Sequence, residues 1–183
     1  LPDRVDEFQE GVGQAIEYAT ALNCKQVNCL AGIAPDDVDE ATTLQTFVSN
    51  LRFAAERLGQ AGIRLVTEPL NTVDVPGFYL SRTDQALSVI EKVGSANLGL
   101  QHDLYHMQIM EGDLARTIKQ NLDTIRHIQI ADNPGRNEPG TGEINYDFLL
   151  PHIDSKGYDG WVGCEYAPAG DTFTGLLWAA KFL

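Results

Sequence analysis

The chain is short of basic residues and of cysteine and has no long apolar run, and each shortage removes a class of function. Lysine and arginine number 13 against 26 aspartates and glutamates, a formal net charge of −13. That balance repels phosphate backbones and offers no basic patch to nucleic acid or anionic lipid, so neither is expected as a partner. Cys24, Cys29 and Cys164 form neither a C-x-x-C pair nor a secreted disulfide framework, and read as reduced thiols in the cytosol. No stretch reaches the roughly 18 apolar residues of a membrane span, and residues 1–12 carry charges where a signal peptide needs an apolar run. The chain opens at Leu1 rather than Met, which leaves room for a lost presequence. What remains is ample for a core: 183 residues, 43% hydrophobic and 21% charged, fit one globular domain rather than a disordered segment.

Along the chain, helical and strand patterns alternate. Val5, Phe8, Val12, Ile16, Ala19 and Leu22 recur at helical spacing over residues 3–22, with Asp3 placed to cap the first turn. Then come a buried strand over Gln26–Gly32, a helix over 40–59, and a strand over Ile63–Glu68 stopped by Pro69. Further strands are expected over Asn97–Asp103, Ile125–Ala131 and Gly160–Tyr166, with helices over Thr83–Val93, near Asp113–Leu122 and near Tyr146–Lys156. About five strands and six helices in alternation imply a parallel sheet with right-handed crossovers.

Side-chain parity separates an open doubly wound sheet from a barrel, because strand residues alternate faces. One face of Asn97–Asp103 carries Asn97, Gly99, Gln101 and Asp103, and the face holding Gln129 also holds His127. The face with Glu165 carries Gly163 and Trp161. A doubly wound sheet buries both faces of its central strands under helices and should be apolar on both. A barrel interior ending in an aqueous mouth tolerates a polar face better. Five strands are too few to close such a barrel, so the expectation is the C-terminal portion of one, a single domain over residues 1–183 lacking the first three strands.

Glu68, Asp103, Gln129 and Glu165 stand at or near the carboxyl ends of separate expected strands, 35, 26 and 36 residues apart. These gaps approximate the roughly 31 residues per βα unit of an eightfold barrel, in which active sites form at that end. All four are hard oxygen donors suited to Mg²⁺ or Mn²⁺, and without a cation the three carboxylates would repel one another. Any one of them alone reads equally well as a solvated loop residue. His106, three residues after Asp103, can aim at a substrate oxygen or serve as a packing histidine. Arg136, in the turn-rich stretch Asp132–Asn145, can clamp a carboxylate or face solvent.

The strings E-P-L-N (68–71), Q-H-D-L-Y-H-M-Q (101–108), H-I-Q-I-A-D-N-P-G-R (127–136), E-P-G-T-G-E-I-N-Y (138–146) and C-E-Y (164–166) resemble the hydroxypyruvate isomerase family of xylose-isomerase-like (β/α)₈ TIM barrels, which includes 2-oxo-tetronate isomerases. The stretch from His127 to Tyr146 is the most specific. The resemblance implies that Glu68, Asp103, Gln129 and Glu165 bind a divalent metal. It further implies that Glu68 and Glu165 form the proton-transferring pair and that His106 and Arg136 contact substrate. Related sugar epimerases usually carry histidine at the third metal position, so Gln129 points to the isomerase branch. The implied function is a cytoplasmic isomerase of carbohydrate metabolism acting on a small oxo acid, with room for a homo-oligomer. A ketose 3-epimerase of the same superfamily and an inactive barrel fragment are the alternatives.

Overall fold

The computed structural model describes residues 1–182, which divide into a compact unit over Leu1–Gln101 and a second from His102 onward. In the first unit, α1 (Val5–Ala21) precedes β1 (Gln26–Asn28), α2 (Glu40–Gln60), β2 (Arg64–Thr67), α3 (Thr83–Val93) and the body of β3 (Leu98–Asp103). Within it the strands pair in parallel and in chain order, Val27 opposite Leu65 and Val66 opposite Gly99.

The helix α2 forms where the sequence expects it. Asp39 caps it by accepting the Thr42 amide at 2.9 Å and the Thr42 hydroxyl at 2.7 Å. Phe47, Val48, Leu51, Ala54, Ala55 and Leu58, recurring three and four residues apart, make its buried stripe. Asn97 locks this helix to the sheet, its amide donating to Ala55 O and Ile63 O, both at 2.9 Å. Gly94, in the left-handed region at φ 68°, ends α3 and returns its amide to Ile90 O. Asp3 does not cap α1. Pro2–Arg4 form a 3₁₀ turn that runs directly into the helix, and its N-terminal residue Arg4 makes no side-chain cap.

The second unit carries α4 (Leu104–Met110), α5 (Leu114–Asn121), β4 (Ile125–Ile130), α6 (Tyr146–Ser155), β5 (Val162–Cys164) and α7 (Thr172–Gly175). β4 and β5 are parallel, with Gln129 opposite Gly163. The strands are shorter than their apolar runs suggest, and two helices, α4 and α7, lie outside the ranges named for helices in the sequence. The first, α4, starts directly at the end of β3 because Asp103 accepts the Tyr105 amide at 2.8 Å. The second, α7, is capped by Asp171 through the Thr174 amide. Cys164, at the end of β5, is exposed. β5 has only β4 beside it in this unit.

His102 is wholly buried, and neither ring nitrogen has a hydrogen-bond partner among the described residues. Burial pushes its pKa down to about 4. The folded chain therefore keeps His102 neutral while the unfolded chain takes up a proton below about pH 6.5. Stability from this residue is complete above that pH and is lost as pH falls toward about 4. Urea unfolding at pH 7 and pH 5 should show a loss of about 2 kcal/mol assignable to this group, and His102→Leu should remove that share. An unchanged pH dependence in the variant would mean that His102 is not the responsible group.

Candidate metal and active site

Glu68 directly follows β2 in the first unit, with Pro69 after it, which leaves the carboxylate at the carboxyl end of the strand. It is buried, and Oε2 accepts the Asn28 side-chain amide and the Gln101 side-chain amide, both at 2.7 Å. These donors come from the strands on either side of β2, so the sheet itself orients the carboxylate. Sequence reading selected Glu68 and missed Asn28 and Gln101. Their signal is inward parity on strands flanking the glutamate, combined with a side chain able to donate.

In the second unit the turn from β3 into α4 brings Asp103 and His106 to the same place. Asp103 Oδ1 caps the helix, and one turn along it His106 Nε2 lies 3.8 Å from Asp103 Oδ2. That second oxygen is buried without a hydrogen-bond donor among the described residues. Burial raises the Asp103 pKa to about 6, against the pull of the Tyr105 amide and of Arg136. Glu165 follows β5, its amide extending the ladder to Ile130 O at 3.1 Å. Asp103, His106 and Glu165 each offer a ligand atom within 4.8 Å of the others.

Arg136 completes this group. Its Nη2 donates to Glu165 Oε2 at 3.0 Å and lies 3.5 Å from His106 Nε2, while the guanidinium rests 5.1 Å from the Tyr105 ring centroid. The pair with Glu165 is partly open to water, so screening keeps its own contribution to stability small. Arg136 adopts a left-handed φ of 51°, a conformation that costs a non-glycine residue energy unless its surroundings hold it.

The surroundings are organised by Asp132, which sequence reading did not single out. Its Oδ1 accepts the amides of Asn133 and Ile144, both at 3.0 Å, and its Oδ2 the Gly140 amide at 2.8 Å. Both ends of the Asp132–Asn145 loop are thereby gathered on one carboxylate. Gly142 is confined there, since a Cβ would lie 2.0 Å from Asn133 O. The available signal was an acidic residue heading a run of Gly, Pro and Asn whose amides need an acceptor.

Gln129 is half-buried on β4 beside Gly163, where a Cβ would come within 2.9 Å of His127 Nε2 and 3.4 Å of Gln129 Cγ. The glycine thus makes room for both side chains. Burial lowers the pKa of His127, opposed by the charge of Glu165. A cleft of about 410 Å³ in the first unit is lined by Cys29, Leu30, Ile33, Phe47 and Tyr79 and includes none of the acids named above.

The xylose isomerase-like TIM barrel family model matches residues 2–182. The chain is 52% identical to hydroxypyruvate isomerase of Escherichia coli K12, covering 97% of this chain and 69% of that protein. It is 43% identical to 2-oxo-tetronate isomerase of Cupriavidus necator, covering 100% and 70%. Among solved structures, a Brucella melitensis protein described as AP endonuclease, family 2 is 42% identical, with a TM-score of 0.94 over 98% of this chain and 69% of that one.

Two carboxylates and an imidazole, one carboxylate oxygen lacking a donor, fit a divalent cation. A proton on Asp103 competes with such an ion. Mn²⁺ affinity, measured by calorimetry, should therefore fall by roughly tenfold per pH unit below about pH 6, where Asp103 protonates. An affinity indifferent to pH between 7 and 5 would place Asp103 outside the ligand set.

Proposed function

The chain belongs to the hydroxypyruvate isomerase family of xylose isomerase-like TIM barrels, and on that premise we propose that it isomerises a small oxo acid. Hydroxypyruvate to tartronate semialdehyde is the leading case and 2-oxo-tetronate isomerisation the close second. Isomerase is the class to which its named relatives belong. The observation that carries the acid-specific reading is Arg136, a cation 3.0 Å from the Glu165 carboxylate and 3.5 Å from His106. An uncharged sugar has no need of a guanidinium there, whereas a substrate carboxylate binds it bidentately.

In this reading Glu68, Asp103, Gln129 and Glu165 hold Mg²⁺ or Mn²⁺, with His106 adjoining. When bound, the ion supplies Lewis-acid polarisation of the substrate carbonyl. Arg136 holds the substrate carboxylate. One of Glu68 and Glu165 takes a proton from the hydroxymethyl carbon, and the other delivers one to the former carbonyl carbon, while the hydroxyl proton passes to the carbonyl oxygen. His106 faces those oxygens. Asn28 and Gln101 keep the Glu68 carboxylate oriented for its part. The reaction needs no redox cofactor, because the oxidised and reduced carbons belong to one molecule.

A 3-epimerase would use the same acids but move the proton between faces of one carbon, and Gln129 and Arg136 favour the isomerase. Phosphodiester cleavage, suggested by the name of the Brucella protein, is opposed by a net charge of −13 and by a single histidine in the cluster. A small-molecule substrate in the cytosol is the partner proposed. No helix among the described residues is long and apolar enough to cross a membrane.

Glu165→Gln should still bind Mn²⁺ but lose solvent deuterium incorporation into hydroxypyruvate, since the amide keeps a ligand oxygen and cannot act as a base. Exchange at the unmodified rate would remove Glu165 from the proton-transferring pair. Losing a charge-assisted contact worth about 1.5 to 3 kcal/mol, Arg136→Ala should lower kcat/KM for hydroxypyruvate by roughly 10- to 150-fold. A neutral ketose should be affected much less. If the unmodified protein turns over neutral ketoses as well as hydroxypyruvate, the epimerase reading replaces this one. Nicking of an abasic duplex would do the same for the endonuclease.

A further inference from the structure

Glu138 is buried at 5% exposure, yet it stands outside the Asp103, His106 and Glu165 cluster. Its carboxylate is met by a backbone amide, that of Ala169, at 3.0 Å to Oε2 and 3.2 Å to Oε1. A carboxylate withdrawn from water onto one peptide N–H is costly, and an apolar residue would fill the same space at lower cost. The neighbouring bonds show what this cost accompanies.

Three consecutive residues of the Arg136 loop grip two residues beyond Glu165, Ala167 and Ala169. Arg136 O accepts the Ala167 amide at 2.9 Å, Asn137 Nδ2 donates to Ala167 O at 2.8 Å, and Glu138 receives the Ala169 amide. The strap 167–169 starts two residues after Glu165, whose own amide is fixed to Ile130 O. Glu165 is thus held upstream by the sheet and downstream by the loop that carries its partner, Arg136. Of the three grips, only the one at Glu138 uses a buried charge.

We infer that Glu138 is a positioning residue, whose carboxylate pins the 167–169 strap and so sets the separation between the Arg136 guanidinium and the Glu165 carboxylate. The inference rests on the isomerase reading for its consequence but not for its geometry. Gly175 supplies an independent way to disturb it. A Cβ there would lie 2.3 Å from Glu138 Oε1, while its backbone, at φ −63° and ψ −21°, accepts alanine without strain. The flexible carboxylate, rather than the helix, would give way.

The test compares Glu138→Ala, Glu138→Gln and Gly175→Ala in the full chain, reading amide hydrogen exchange at Ala169 together with hydroxypyruvate kinetics. Glu138→Ala and Gly175→Ala should both lose protection at Ala169. They should also lose roughly 10- to 100-fold in kcat/KM, because a displacement near 1 Å at reacting groups costs about that much. Glu138→Gln keeps an acceptor oxygen and should restore protection and turnover to within about threefold. Unchanged Ala169 exchange in Glu138→Ala and Gly175→Ala overturns the inference, as does lost protection with kcat/KM intact. If the unmodified protein leaves hydroxypyruvate untouched, the isomerase reading fails, and the strap then stands or falls on the exchange data alone.

Discussion

Taking a carboxylate out of water is unfavourable unless donors replace the lost hydration, and much of this chain's local architecture follows from meeting that requirement. Glu68, Asp103, Asp132 and Glu138 are all buried. Asn28 and Gln101 serve the first, the Tyr105 amide the second, a set of loop amides the third and Ala169 the last. Each solution fixes a different piece of backbone: flanking strands, the start of α4, both ends of a loop, and the segment beyond β5. These acids therefore also hold the segments that carry the candidate site.

Much of the architecture was legible in the sequence. The helix expected over 40–59 is found as α2 over Glu40–Gln60, and α3 was read to the residue. The parallel sheet followed from alternation alone. Parity along Asn97–Asp103 and Ile125–Ala131 also showed that one face would be polar, and the buried Gln101 donating to Glu68 is that face at work. Strand lengths were overestimated because an apolar run states where burial is tolerated, not where ladder bonds stop.

The illegible parts are those created by tertiary geometry. α4 is too short to show periodicity, and it exists because Asp103 caps it. That same cap brings His106 back toward Asp103, a proximity that a spacing of three residues permits but does not require. The Arg136 position was undecided between solvent and substrate, since a turn-rich loop does not reveal where its middle residue points. The structure sets its guanidinium beside Glu165 and His106, in a loop held by the Asp132 bonds and with a left-handed backbone at Arg136.

Two amides bonded to the same oxygen of Glu68 fix the plane of that carboxylate as well as its position. A freely rotating acid could offer a proton to either face of a flat enediol, yielding a mixture of mirror-image products. One whose plane is set by neighbouring strands can favour a single face before the substrate arrives. In the proposed reaction the carbon that receives the proton becomes a stereocentre, so with Glu68 as the acid that delivers it the two amides would act as a handedness filter for the product.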